Sequence, residues 1–194
     1  MNVILLCHGA THAMRAARFP TGDEPVERGE FARFDLPHDV PVISSPAAAA
    51  RETASWLTSN FTIDPAFDDI DYGRWRGHAL REIAQQEAAN IAAWLSDVNA
   101  RPHGGESIAM LAERVAGALT RIGTDALHEC CIVVTHAIVV KAALAHVRGE
   151  ALASSLRMDF APLSSIQLEY DEARRLWSVR NFDASARLKS IDSA

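Results

Sequence analysis

Two short apolar runs each end on a histidine. Val3-Ile4-Leu5-Leu6-Cys7 runs into His8-Gly9, and Cys131-Ile132-Val133-Val134-Thr135 runs into His136-Ala137. An imidazole can act as covalent nucleophile, as proton carrier, or as a donor to a transferred group. Both runs are β-branched or aliphatic and bounded by small residues, the pattern of buried strands in a parallel sheet. In an open α/β sheet, ligands bind in the crevice outside the carboxyl ends of the strands. Two imidazoles far apart in sequence are therefore aimed at one crevice.

The elements that must position them read as follows. The first strand covers about 2–7, and a Pro/Gly-containing stretch and a short helix near 27–35 follow. Pro41 to Ser45 is a second strand, and Ser45-Pro46 opens an Ala-rich helix to about Asn60, with proline early where its missing N–H costs little. Thr62 to Phe67 is a short extended piece. Asp71 to Gly77 is an irregular loop with Trp75 as a packing anchor. From His78 to about Ser96 the spacing of Leu80, Ile83, Ile91 and Leu95 predicts one helix. The break at 99–105 contains proline and two glycines, and a long helix runs from about Glu106 to Leu127. The strand at 130–135 leads into a helix from Ala137 to about Val147. Two late strands, Ser164–Asp171 and Leu176–Asp183, are joined by a short connection and so form an antiparallel pair. The last ten residues are expected to fray. The order predicts an α/β chain, a three-layer α/β/α sandwich around a mostly parallel sheet. A helical insertion at about 78–128 lies over the C-terminal edge of the sheet, and its 78–105 part, with Trp94, is expected to cover the crevice.

At 194 residues the chain has the length of one domain, with a core of adequate size. A net charge of −6, without a basic block, argues against a nucleic-acid groove. It leaves room for a small anionic ligand, because a local pocket can oppose the global sign. Cys7, Cys130 and Cys131 make no plausible disulfide framework. No segment approaches the ~20 apolar residues of a membrane span. Residues 1–7 carry no signal-peptide features, so the cytoplasm is the expected location.

Five motifs in order carry a resemblance to a known family. They are Cys7-His8-Gly9-Ala10-Thr11, Ser44-Ser45-Pro46, Asp71-Tyr72-Gly73-Arg74-Trp75, Gly104-Gly105-Glu106-Ser107 and Val133-Val134-Thr135-His136-Ala137. Together the chain resembles the histidine phosphatase, or phosphoglycerate mutase-like, superfamily. The resemblance implies that fold and a small phosphorylated metabolite as ligand, with no cofactor. It also implies His8 as the nucleophile that forms a phosphohistidine and His136 as a donor to the phosphoryl group. Asp69 stands where the family usually has the glutamate that protonates the leaving oxygen. Cys7, Gly9, Thr11, Glu106 and Ala137 come into the expected substrate site with their motifs. Homodimer formation stays open.

The sequence departs from the family at two points. The arginine ahead of the nucleophile is Cys7, and the arginine three residues past the Ser-Ser-Pro proline is Ala49. Both changes delete a bidentate phosphate clamp. Each missing donor could cost ~3–4 kcal/mol of transition-state stabilisation. Arg15 and Arg18 are the expected substitutes. Arg51 lies about 200° round its helix from the lost position, and Arg74 and Arg76 are expected at the rim. The alternative is a catalytically weak or inactive relative that binds a metabolite or a protein. Cys7 reads as a small buried hydrophobe, with a reactive thiol as the second option. His8 and His12 have i, i+4 spacing, but without a helical context or a paired Glu no metal site is expected. Glu106 reads as a helix cap or a cleft residue. Ser44 and Ser45 show no triad order, so serine chemistry is not expected.

Overall fold

The computed structural model describes residues 1–27, 40–125 and 128–187, with side chains as far as residue 181. The strands are β1 (Asn2–Cys7), β2 (Val42–Ser44), β3 (Phe61–Ile63), β4 (Cys130–Thr135), β5 (Ser164–Asp171) and β6 (Leu176–Arg187). The helices are α1 (His12–Arg15), α2 (Ala48–Ser55), α3 (Leu80–Gln86), α4 (Ala88–Ser96), α5 (Ile108–Thr124), α6 (Ala137–Arg148) and α7 (Leu152–Leu156). The expected helix near 27–35 falls almost wholly outside the described residues, as do the last seven positions of the chain.

The strands form one sheet in the order β3-β2-β4-β1-β5-β6. β3, β2, β4 and β1 pair in parallel, and β5 and β6 are antiparallel, as the short connection between them requires. The alternation of side chains along a strand explains the layers. Val3, Leu5, Cys7, Cys131 and Val133 face α5 and α6, whereas Ile4, Leu6, Ile132 and Val134 face Ala50 and Ala54 of α2. Cutting one of these fully buried aliphatic side chains, such as Leu5, to alanine should cost about 2–5 kcal/mol.

β1 and β4 pair without a register slip, with Cys7 opposite Thr135. His8 and His136 are thus the next residue on two neighbouring strands, and the His8 N–H donates to the Thr135 carbonyl at 2.9 Å.

The insertion differs from its sequence reading in two ways. Trp94 and Leu95 of α4 and Ile108 at the start of α5 reach the cavity at the C-terminal edge of the sheet, whereas Leu111, Val115, Ala118 and Leu119 of α5 pack into the core with α6. The single helix expected over 78–96 is broken at Glu87, whose backbone (φ −131°, ψ 43°) leaves the helical region. The Glu87 carboxylate is held by Arg74, by Asn90 Nδ2 at 2.8 Å and by the Trp75 indole N–H at 3.3 Å. Those partners fold the insertion onto the loop instead of extending it. Trp75 is fully buried there with Phe19 and Ile83. Among the described residues no helix is long and apolar enough to cross a membrane.

Candidate active site

The His8 and His136 rings stand 4.9 Å apart, edge to face. Both line a cavity of about 390 Å³ at the C-terminal ends of β1 and β4. His8 Nδ1 lies 2.7 Å from the Gly9 carbonyl oxygen. A carbonyl only accepts, so in the neutral ring Nδ1 carries the proton and Nε2 keeps its lone pair. Burial, and then the neighbouring His136, push the His8 pKa below the usual imidazole range. The ring is therefore uncharged and nucleophilic at neutral pH.

His136 is held differently. Its Nε2 is 2.8 Å from Ser45 Oγ, and that hydroxyl lies 3.0 Å from Asp68 Oδ1 and accepts the Ala47 N–H at 3.2 Å. An ionised carboxylate only accepts, so the Ser45 proton points to Asp68 and the His136 proton points to Ser45. Ser45 is fully buried and orients His136. Burial pushes the His136 pKa down as well. Its Nδ1 faces Asp69 Oδ2 at 3.7 Å.

Asp69 lies on the cavity wall, and burial raises its pKa well above the carboxylate range, to about 6. That is the direction a general acid needs. Arg114 on α5 fixes the loop that carries it. The guanidinium donates to the carbonyls of Ala66, Asp68 and Asp69 at 2.8–2.9 Å and pairs with Glu106 at 2.8 and 3.0 Å. The Gly-Gly pair before Glu106 makes room for this loop. A Cβ on Gly105 would sit 2.0 Å from the Asp71 carbonyl oxygen. Gly73, with φ +49°, would carry its Cβ 2.3 Å from the His103 carbonyl oxygen.

Several expected site residues lie elsewhere. Arg15 is not on the cavity wall; its side chain pairs with Glu27. Arg18 does line the cavity, with Nη1 on the Gly77 carbonyl at 2.8 Å. The chain reverses between them at Ala17, where φ is +47°. Gly9 packs against Val26, and its N–H is taken by Thr53 Oγ1 at 3.0 Å. Glu106 neither lines this cavity nor caps α5; Ser107 is the cap, and Glu106 serves Arg114. Cys7 faces the α5/α6 layer, and burial raises its thiol to about 11, so it stays protonated at neutral pH. Thr11 lines the cavity and caps α1 through Oγ1, and Ala137 lines it at the start of α6. Arg74 and Arg76 are tied to Glu87 and Asp71, off the wall of this cavity, and Arg51 is exposed.

Sequence reasoning missed Lys141. It lies on α6 one turn past Ala137, lines the cavity, and donates from Nζ to the Leu156 carbonyl at 3.2 Å. The ammonium is within electrostatic reach of Cys7, so it stands beside one of the two positions that lost an arginine. Burial lowers its pKa. A signal was present: one lysine in an otherwise apolar turn, at i+4 from the residue after His136. Among the described residues lining the cavity, Arg18 and Lys141 are the only lysine or arginine side chains.

Residues 28–183 match the model of the histidine phosphatase superfamily (branch 1). The chain belongs to that superfamily. The matched span begins after His8, so the place of His8 rests on the geometry above. A bifunctional protein of Mycobacterium tuberculosis is 30% identical over 138 residues, which are 68% of this chain and 38% of that protein. The chain therefore corresponds to well under half the length of that relative. The adenosylcobalamin/alpha-ribazole phosphatase of Escherichia coli is 26% identical over 163 residues, 77% of this chain and 80% of the relative. Among solved structures, the alpha-ribazole phosphatase from Shigella flexneri superposes with a TM-score of 0.79 at 20% identity, over 98% of this chain and 100% of that one. A mycobacterial glucosyl-3-phosphoglycerate phosphatase gives 0.78 at 19% identity, over 95% and 99%. These superpositions show a shared mixed α/β superfamily fold.

Proposed function

We propose that the chain hydrolyses a small phosphomonoester through a phosphohistidine on His8. The observation that carries this reading is the tautomer of His8 that the Gly9 carbonyl selects, which leaves Nε2 unprotonated on a ring lining a cavity with His136 and Asp69. In the first step Nε2 attacks phosphorus and the P–O bond to the alcohol breaks. The leaving oxygen takes the proton of Asp69. In the second step the Asp69 carboxylate accepts a proton from water, the water oxygen bonds to phosphorus, and the N–P bond breaks. Splitting one displacement into two is the gain of a covalent relay.

Charge on the phosphoryl oxygens needs donors. Lys141, Arg18 and the N–H groups at the start of α6 are the donors this chain can offer, because the one ring proton of neutral His136 is engaged by Ser45. The first N–H groups of a helix have no partner within it and favour an anion. The named activities of the relatives, on α-ribazole and glucosyl-3-phosphoglycerate phosphates, support a phosphorylated metabolite as substrate. Cys7 and Ala49 favour a second reading, a protein that binds a phosphomonoester and turns it over poorly. Turnover of an aryl phosphate by wild type and by His8→Ala separates the two. The first reading requires ready hydrolysis that the variant loses, and the second predicts turnover at or barely above that of the variant.

A further inference from the structure

The wall of the cavity carries a statement about the body of the substrate, beyond the phosphoryl group. Met14, Tyr72, Trp94, Leu95, Ile138 and Leu156 line it. They come from α1, the 71–75 loop, α4, α6 and α7, so the apolar surface surrounds the opening on several sides. Met14 is 45% exposed and Leu95 71% exposed at this wall. Tyr72 and Trp94 pack edge to face at 6.2 Å and form an aromatic panel. Position 49, where a cation is missing, adds the methyl group of Ala49 to the same surface.

The charge count points the same way. Arg18 and Lys141 are opposed by Glu24 and Asp69 on the same wall. The Glu24 carboxylate is already engaged by the N–H groups of Thr21 and Gly22 at 2.8 and 3.0 Å. Once a phosphoryl group draws on both cations, no further lysine or arginine of the described wall remains for a second anion. A carboxylate or second phosphate in the body would be desolvated without a partner, whereas an apolar body would gain from each area it covers.

We infer that the site takes phosphomonoesters whose alcohol is bulky, apolar and uncharged, aromatic or long-chain alkyl, in preference to polyanionic or sugar-like ones. This rests on the phosphomonoester reading above. The test compares 2-phenylethyl phosphate with glycerol 3-phosphate and 3-phosphoglycerate, all esters of alkyl alcohols, so leaving-group chemistry differs little. The expected result is a kcat/KM at least about tenfold higher for the phenylethyl ester, the scale of discrimination an apolar pocket provides. The double variant Met14→Ser, Leu95→Ser should narrow that ratio. Equal or better turnover of 3-phosphoglycerate overturns the inference.

Binding is measured in parallel by calorimetry with two phosphonates that cannot be hydrolysed, 2-phenylethyl- and 2-hydroxyethylphosphonate. Absence of turnover with all esters, together with tighter binding of the phenylethyl compound, sinks the hydrolytic reading and keeps the apolar site. Equal affinity of the two phosphonates sinks the apolar site whatever the turnover.

Discussion

Lys141→Met removes one charge and keeps most of the side chain's length and packing, so it isolates the ammonium. If Lys141 stands in for an arginine lost from the phosphate pocket, its loss should resemble the loss of one preorganised donor. Such losses cost about 2.7–4 kcal/mol, or about 10²–10³ in kcat. Two features reduce that figure here. The ammonium is half-buried and shares one proton with the Leu156 carbonyl at 3.2 Å. About 2 kcal/mol, a thirtyfold loss in kcat/KM, is a reasonable expectation at 1.36 kcal/mol per decade. Most of it should appear in kcat, because charge on the phosphoryl oxygens is largest in the transition state. The Leu156 carbonyl loses a donor too, for about 0.5–1.5 kcal/mol of stability, a drop in Tm of about 1–6 °C in a chain of this size. Lys141→Arg should restore much of the rate. Burial lowers the Lys141 pKa, but the alkaline fall in activity is set earlier by Asp69, whose pKa is about 6. The pH profile of the arginine variant should therefore match that of the wild type, because guanidinium does not titrate and Asp69 is unchanged. Steady-state kinetics on an aryl phosphate over a pH series, with Tm followed alongside, is the assay. A kcat/KM within about threefold of wild type for Lys141→Met would refute the reasoning.

Further outcomes follow from the same geometry. Catalysis needs His8 unprotonated and Asp69 protonated, and burial lowers the first pKa and raises the second. The profile of kcat/KM should therefore be a bell with its maximum on the acid side of neutral, and Asp69→Asn should abolish its alkaline limb along with most of the rate. The sign for stability is opposite to that of an ordinary ion-paired carboxylate. The Asp69 pKa is raised from 3.8 to about 6 on folding, so stability is lost as pH rises between those values. Asp69→Asn should raise stability above pH 6 by an amount on the order of 1–2 kcal/mol, read by urea unfolding at pH 5 and 7.5, with no gain at the higher pH counting against the burial argument. Arg114→Met leaves three loop carbonyls and Glu106 without their donor. It should cost about 2–3 kcal/mol of stability and lower kcat more than it raises KM, and an unchanged Tm would remove Arg114 from the account. Ala49→Arg returns a cation to the cavity wall and should raise kcat/KM by about tenfold; a loss of activity with an intact fold would mean the apolar wall cannot host it.

Much of this was legible because it is local or periodic. Two aliphatic strands ending on histidine specify both the strands and, once they pair in register, the meeting of His8 and His136. The antiparallel β5–β6 pair follows from a short polar connection. What was not legible depends on partners distant in sequence. α3 and α4 separate because Arg74, Trp75 and Asn90 draw on one carboxylate, and no spacing rule contains Arg74 or Trp75. Glu106 looks like a cap but is claimed by Arg114, two helical turns on. Arg15 and Arg18 look equivalent until the turn at Ala17 sends one to Glu27 and leaves the other on the cavity. Lys141 belongs to none of the five motifs, and its place shows only once the sheet brings Cys7 within electrostatic reach of it.

The most direct test is to quench turnover of a radiolabelled aryl phosphate and look for labelled protein. The account predicts an acid-labile, base-stable phosphoryl group on the tryptic peptide Met1–Arg15, assigned by fragmentation to His8 and not His12, and absent from His8→Ala. Turnover that persists in His8→Ala, with no label on the peptide, would contradict it.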